Sequence, residues 1–330
     1  MKIQFKYYIY TLLFSLLSMY IIPSCKEGLD FTNPNAINPG QVWNDPNMIK
    51  AFLTDIYGGS MPGWSFDGNT SDEGIGSSRD LGNYQKGIIT AATTYTNLSY
   101  TNIDKCNFFI DQLQTVPVSV LSSSLNAQYV GEAKFWRAWS YWSMVQNIGG
   151  VPLILKTQDP TVPSSLNVPR SKTSECITQI IKDLDEAATV LPSSYTGTDY
   201  GRITKIAALG LKGRILMWWA SPLFNPSNDP ARWQKAFDAT KAAVDAADAS
   251  GYGLLPKFRN IWYSQNKEQI MVNQYFYPDH YMNFASIRPQ PFTNGAADGN
   301  QALAPLLLAF PKKDGTPLQL DKSKLGTNIG

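Results

Sequence analysis

Asp72 and Glu73 stand side by side in a stretch where glycine, serine, asparagine and aspartate replace any periodic pattern. Paired carboxylates can serve as acid and base, but cleaving a glycosidic bond needs them roughly 5–9.5 Å apart across that bond. Neighbours on one strand or loop rarely face each other in that way. The single histidine, His280, leaves little for a histidine-based triad or metal site. No GxSxG, HExxH or phosphate-cradling glycine loop occurs, and the run Gly74-Ile75-Gly76-Ser77-Ser78-Arg79-Asp80 is too irregular for a nucleotide fingerprint. Cys106 and Cys176 lack a CxxC or CxxxC spacing, and both lie in helical patterns that suit buried free thiols. These residues point to no catalytic group, no metal and no cofactor.

The chain's excess is of another kind. It has 17 Tyr and 9 Trp, with only 16% charged residues. With many Asn, Gln, Ser and Thr, this composition suits surfaces that stack against and hydrogen-bond neutral polar ligands. Formal net charge is +2, and removal of Lys2 and Lys6 with a leader would leave 26 Lys and Arg against 26 Asp and Glu. Without a basic excess to neutralise phosphates, nucleic acid is excluded as a partner.

The leader is expected at residues 1–24. Two lysines precede an uncharged stretch from Tyr7 to Ile22, shorter than the roughly 20 residues that span a bilayer. Ile22-Pro23-Ser24-Cys25 resembles a bacterial lipobox, in which the cysteine is lipidated and becomes the new N-terminus. An ordinary cleaved signal or a short membrane anchor are the other readings. Acyl chains on Cys25 bury methylenes at about 0.8 kcal/mol each, which gives durable attachment to a membrane. Lys26-Glu27-Gly28-Leu29-Asp30 is similar to the signal that sends lipoproteins to the cell surface in some Gram-negative bacteria.

Residues 25–44, rich in Asn, Pro and Gly, read as a tether. Asp45 can cap a helix with Pro46 at its first position. A long irregular region follows from Gly58 to Asn97, and its interspersed aromatics argue against disorder. Helical periodicity then predicts helices at 98–115, 125–148, 173–191, 203–220 and 231–249. The second is apolar nearly all round and should be buried on most sides, closed by Gly149-Gly150 and Pro152. Along 231–249, Trp233, Phe237, Thr240, Val244 and Ala247 form one row. Residues 268–276 read as a short buried strand or extended segment, 277–300 as an aromatic loop, and 302–310 as a short apolar stretch. The fold class is mainly α, with stacked helical hairpins in the manner of tetratricopeptide arrays and long irregular loops.

Three of these helices carry more than periodicity. Gly131-Glu132-Ala133-Lys134-Phe135-Trp136-Arg137-Ala138, followed by Gly149-Gly150-Val151-Pro152-Leu153, resembles the long aromatic helix of the SusD/RagB family. Val168-Pro169-Arg170-Ser171 and Ile180-Ile181-Lys182-Asp183-Leu184 are similar to its next helix, and Gly201-Arg202-Ile203-Thr204-Lys205 through Ala220-Ser221-Pro222 to the one after. The resemblance covers most of residues 25–320. It implies an α-helical outer-membrane lipoprotein, exposed at the cell surface, that binds glycan or another nutrient and caps a SusC-type TonB-dependent transporter. Residues 45–250 would form the N-terminal helical region and 251–330 the start of a C-terminal region that runs further in the family. The chain is therefore expected to be a fragment or a truncated product.

Within that resemblance the aromatics at 135–142 belong to the core, with Arg137, Glu132 and Asp183 as partners in a buried or interfacial ion network. Ligand contacts should come from loops that combine flat aromatics with amide, carboxylate and guanidinium groups. One cluster is Trp64, Asp67, Asp72, Arg79, Tyr95 and Asn97. Ser71-Asp72-Glu73 looks like a family motif, near which an aspartate and an arginine of starch-binding members contact glycan. The other cluster is Tyr275, Tyr277, His280, Tyr281, Phe284 and Arg288, where the family places a later variable loop. A peptide- or transporter-binding lid without sugar affinity, and an α-helical glycoside hydrolase, are the alternative readings.

Overall fold

The computed structural model describes residues 39–63, 71–75, 82–90, 98–281 and 301–319. The chain forms two compact units, Met1–Ile49 and Lys50–Gly330. The helices in order are α1 (Pro39–Val42), α2 (Pro46–Ser60), α3 (Thr101–Leu113), α4 (Ser123–Ile148), α5 (Pro163–Leu166), α6 (Thr173–Val190), α7 (Lys205–Ala220), α8 (Pro230–Ala249) and α9 (Ala304–Ala309). Two short strands, β1 (Gly74–Ile75) and β2 (Gln301–Ala302), pair antiparallel.

In the first unit the Asp45 carboxylate accepts from Asn47 N at 2.8 Å, as its place before Pro46 predicts. The same local chemistry starts α4, α7 and α8. Ser122 accepts from Leu125 N at 3.3 Å, Thr204 from Ala207 N at 3.1 Å, and Asp229 from Ala231 N at 2.9 Å. Each satisfies one of the orphan donors of a helix N-terminus. No helix among the described residues is long and apolar enough to cross a membrane.

Within the second unit the helices stack in sequence, α4 between α3 and α6, then α7 on α6 and α8 on α7. Phe135, Trp136, Tyr141 and Trp142 of α4 are buried, which places this aromatic run in the core. Tyr57 meets Trp136 edge-on at 4.9 Å, and Trp218 of α7 meets Trp142 at 4.8 Å. Gly149 has φ +76°, and a Cβ on Gly150 would lie 1.9 Å from the Ser171 carbonyl oxygen. That contact explains why the long helix ends in a glycine pair.

Arg137 joins α4 to α6 from inside the core. Its Nε and one terminal nitrogen donate to the two Asp183 oxygens at 2.8 Å each, and the other donates to Asn107 Oδ1 and Leu155 O. Burial works to lower the Arg137 pKa, but the bonds to Asp183 outweigh it and the net shift is upward.

The outer face of α8 differs from its size pattern. Phe237 is 61% and Val244 53% exposed, whereas Ala236, Ala239 and Ala243 are buried. The cause is the closeness of α7: a Cβ on Gly213 would sit 2.9 Å from Thr240 Oγ1 and 3.1 Å from its Cα. Only small side chains fit at such an interface, so the larger ones turn outward. Residues 268–271 form a turn and bend, 272–275 run without ladder pairing up to Phe276, which bridges to His280, and the segment is not a buried strand.

Candidate binding site

A cavity of about 500 Å³ lies between the C-terminal part of α2, the turn at residues 198–202 and the segment at 272–275 with His280. Its volume falls within the ~300–1,000 Å³ usual for small-molecule sites. Its floor is an ion network. Arg202 donates from Nε and a terminal nitrogen to Glu132 at 3.1 and 2.6 Å, and from the other to Asp199 Oδ1 at 3.2 Å. Lys50 Nζ donates to the same Asp199 oxygen at 2.8 Å. The Tyr57 hydroxyl donates to Glu132 Oε2 at 2.5 Å and accepts from Ile203 N at 2.8 Å.

Glu132 is fully buried, and burial pushes its carboxyl up, with the Arg202 charge and the Tyr57 hydrogen bond pulling it back. Burial alone would lower Arg202, but the Glu132 charge outweighs it and holds the guanidinium protonated. Burial, then Glu132, raises the Tyr57 phenol well above its ordinary range, so that hydroxyl remains a donor. The hydrogen bond from Lys50 holds the Asp199 carboxyl below its usual value. The network therefore fixes the α2 end and the 198–202 turn against α4.

The opposite wall is stitched down by amides. Asn273 Nδ2 donates to Pro62 O at 3.1 Å and to the Tyr275 hydroxyl at 3.3 Å; Gln274 Nε2 donates to Tyr200 O at 2.6 Å. A tight hairpin follows, closed by Phe276 N to His280 O at 2.5 Å and His280 N to Phe276 O at 2.9 Å, with a cis Tyr277–Pro278 bond. It sets the Tyr275 and His280 rings 4.5 Å apart on the cavity wall. It also sets Tyr277 against Tyr281 at 5.3 Å, with Tyr277 81% exposed.

Four of the expected contact residues are thus brought together: Tyr275, Tyr277, His280 and Tyr281. Asp72 is exposed and lines a separate cavity of about 430 Å³ with Tyr84, Gln85 and Leu303. Its turn is anchored by Gln85 Nε2, which donates to Ser71 O and Gly74 O at 2.5 Å each, and by Leu303 N donating to Glu73 O at 2.8 Å. Cys25, Trp64, Asp67, Arg79, Tyr95, Asn97, Phe284 and Arg288 lie outside the described residues. The sequence reading missed Lys50, Thr54, Tyr57, Asp199 and Arg202 as cavity residues. Gly201-Arg202 was the available signal, read there only as a helix-start motif. Among the described residues no group of three or more His, Cys, Asp or Glu side chains could hold a metal ion.

Residues 64–217 match the family model of SusD-like proteins, described as starch-binding and associating with the outer membrane. A SusD-like protein of Formosa agariphila is 22% identical over 292 residues, which cover 80% of this chain and 56% of that protein. The crystal structure of a SusD-like protein from Bacteroides fragilis superposes with a TM-score of 0.65 at 26% identity, over 86% of this chain and 56% of that one. By these matches the chain is similar to proteins of the SusD/RagB family. A second Bacteroides fragilis structure, of a SusD-like carbohydrate-binding protein, shares the fold with a TM-score of 0.66 at 21% identity, covering 86% of this chain and 56% of that chain. The chain thus spans little more than half the length of these relatives. Its mainly helical architecture matches that of these SusD-like structures.

Proposed function

We propose that the chain captures oligosaccharide at the cell surface and passes it to a SusC-type TonB-dependent transporter, without catalysis, while Cys25 holds it to the outer membrane through lipid. Residues 45–250 supply the rigid helical part, and the segment from 251 begins the region that bears the later binding loop. The observation that carries this reading is the hairpin of residues 275–281. It fixes the Tyr275–His280 pair on the wall of a cavity of mixed polarity and the Tyr277–Tyr281 pair next to it in the same hairpin, and sugar rings present the apolar CH faces and hydroxyls that such an arrangement receives. Asp72, with Trp64, Asp67, Arg79, Tyr95, Asn97 and Arg288, is proposed as a further set of contacts. The match of residues 64–217 to a family model described as starch-binding supports the ligand class.

The test is retention of the full-length protein, without its lipid, on a panel of immobilised glycans. Retention on at least one glycan is expected, weakened about 3–10-fold by Tyr277→Ala or Tyr281→Ala, in line with the ~0.5–1.5 kcal/mol of an aromatic contact. Release of reducing ends from that glycan would show an enzyme instead. A silent panel, with a large β-barrel co-purifying from the source cells, would leave a lid without sugar affinity.

A further inference from the structure

We infer that the cavity beneath the hairpin takes an uncharged saccharide unit, and that Asp199 is the residue that turns acidic sugars away. This rests on the glycan reading above and adds a ligand class to it. The cavity is lined by two cationic side chains of fixed charge, Lys50 and Arg202, and both already hold carboxylates. Asp199 Oδ1 receives Lys50 at 2.8 Å and Arg202 at 3.2 Å, and Glu132 takes the remaining donors of Arg202 that face it. Two cations and two carboxylates leave no net charge at the floor. A uronate or sulfated sugar entering here would have to displace Asp199 from Lys50 while facing Glu132 behind Arg202. Like charges brought together in a partly desolvated site repel strongly.

What the cavity offers instead is neutral. Asn273 and Gln274 spend amide N–H groups on the carbonyls of Pro62 and Tyr200, and among the described residues no group donates to Asn273 Oδ1 or Gln274 Oε1. These side-chain oxygens, with the Thr54 and Thr198 hydroxyls on the same cavity, match sugar hydroxyls, which both donate and accept. The Tyr275 ring on the wall supplies a flat apolar face for the ring of a sugar.

The experiment is calorimetric titration of the full-length protein with malto- and laminari-oligosaccharides and with oligogalacturonate and oligoalginate of matched length. The expected result is binding of a neutral oligomer at least tenfold tighter than either uronate. Thr54→Trp, at an exposed helix position facing into the cavity, should weaken the neutral oligomer at least tenfold with the melting temperature nearly unchanged. Asp199→Asn should narrow the neutral-to-uronate ratio about tenfold and make the gained uronate binding salt-sensitive. A wild-type preference for uronate, or a Thr54→Trp protein that binds neutral sugar as the wild type does, would overturn the inference. If Tyr281→Ala abolishes binding while Thr54→Trp does not, the glycan reading survives and the cavity is not its site. If no oligomer binds and the glycan panel is silent too, both fall.

Discussion

Arg137 shows what a charge needs in order to remain inside this array. All its facing donors are used, two on Asp183, one shared between Asn107 Oδ1 and Leu155 O. Removing one partner of such a buried pair leaves the other charged and unsolvated, which costs about 3–5 kcal/mol. Arg137→Met should therefore lower the urea midpoint by that equivalent, and Arg137→Lys should recover only part of it, because an ammonium cannot reproduce the two-pronged contact. A midpoint within experimental error of wild type for Arg137→Met would contradict this role. Asp199 is a different case, since its pair with Lys50 is partly exposed and solvent screening keeps it below about 1 kcal/mol. Its folded pKa is lowered from an ordinary 3.8, first by the hydrogen bond from Lys50. The stability it adds is thus present above the ordinary value and lost as pH falls through the folded one. Asp199→Asn should be slightly less stable than wild type at neutral pH, and the gap should shrink at an acid pH well below the ordinary value. An equal gap at both pH values would count against the pairing.

The helix α8 separates hydrophobic size from burial. Phe237 and Val244 point outward while Ala239 and Ala243 meet α7, where Gly213 lets Thr240 approach. Phe237→Ser should change stability by no more than about 0.5 kcal/mol, as for other surface positions. Ala243→Leu should cost about 1–3 kcal/mol through overpacking, and Gly213→Val at least as much. Chemical denaturation of the three variants decides it, and the reverse order would place the interface on the other face. The same helix marks where sequence reading stops. α4 was legible because its aromatics leave almost no polar stripe and its glycine pair ends it. On α8 the row of Trp233, Phe237, Thr240, Val244 and Ala247 does not by itself tell which face is buried, because close helix contact selects small residues that carry little hydrophobic signal. The site divides in the same way. The hairpin residues Tyr275, Tyr277, His280 and Tyr281 were legible as an aromatic loop. The floor was not, since Lys50 and Asp199 are 149 positions apart and only the fold brings them together.

At the scale of the molecule, the stacked helices and the loop segments should differ in how readily their backbones open. The inner faces of α4 and α6 carry side chains with almost no exposure, so the amides beneath them should exchange only when the array unfolds as a whole. The segment at 272–281 is tied down chiefly by the side-chain amides of Asn273 and Gln274 and by the Phe276–His280 pair, with its rings at the surface. Such a region opens locally at a small fraction of the global cost. Hydrogen exchange followed by mass spectrometry should accordingly show the slowest amides in α4 and α6 and much faster ones in 272–281. A bound oligosaccharide stabilises only the states that bind it, by an amount set by its concentration relative to Kd. Saturation with a neutral oligomer should therefore slow exchange in 272–281 and at the C-terminal end of α2, and leave the outer face of α8 unchanged. Protection that appeared on α8 but not on the hairpin would move the ligand to the far end of the array. Uniform protection would mean that the array responds to ligand as a single unit, and that the hairpin is no more independent of the core than α4 is.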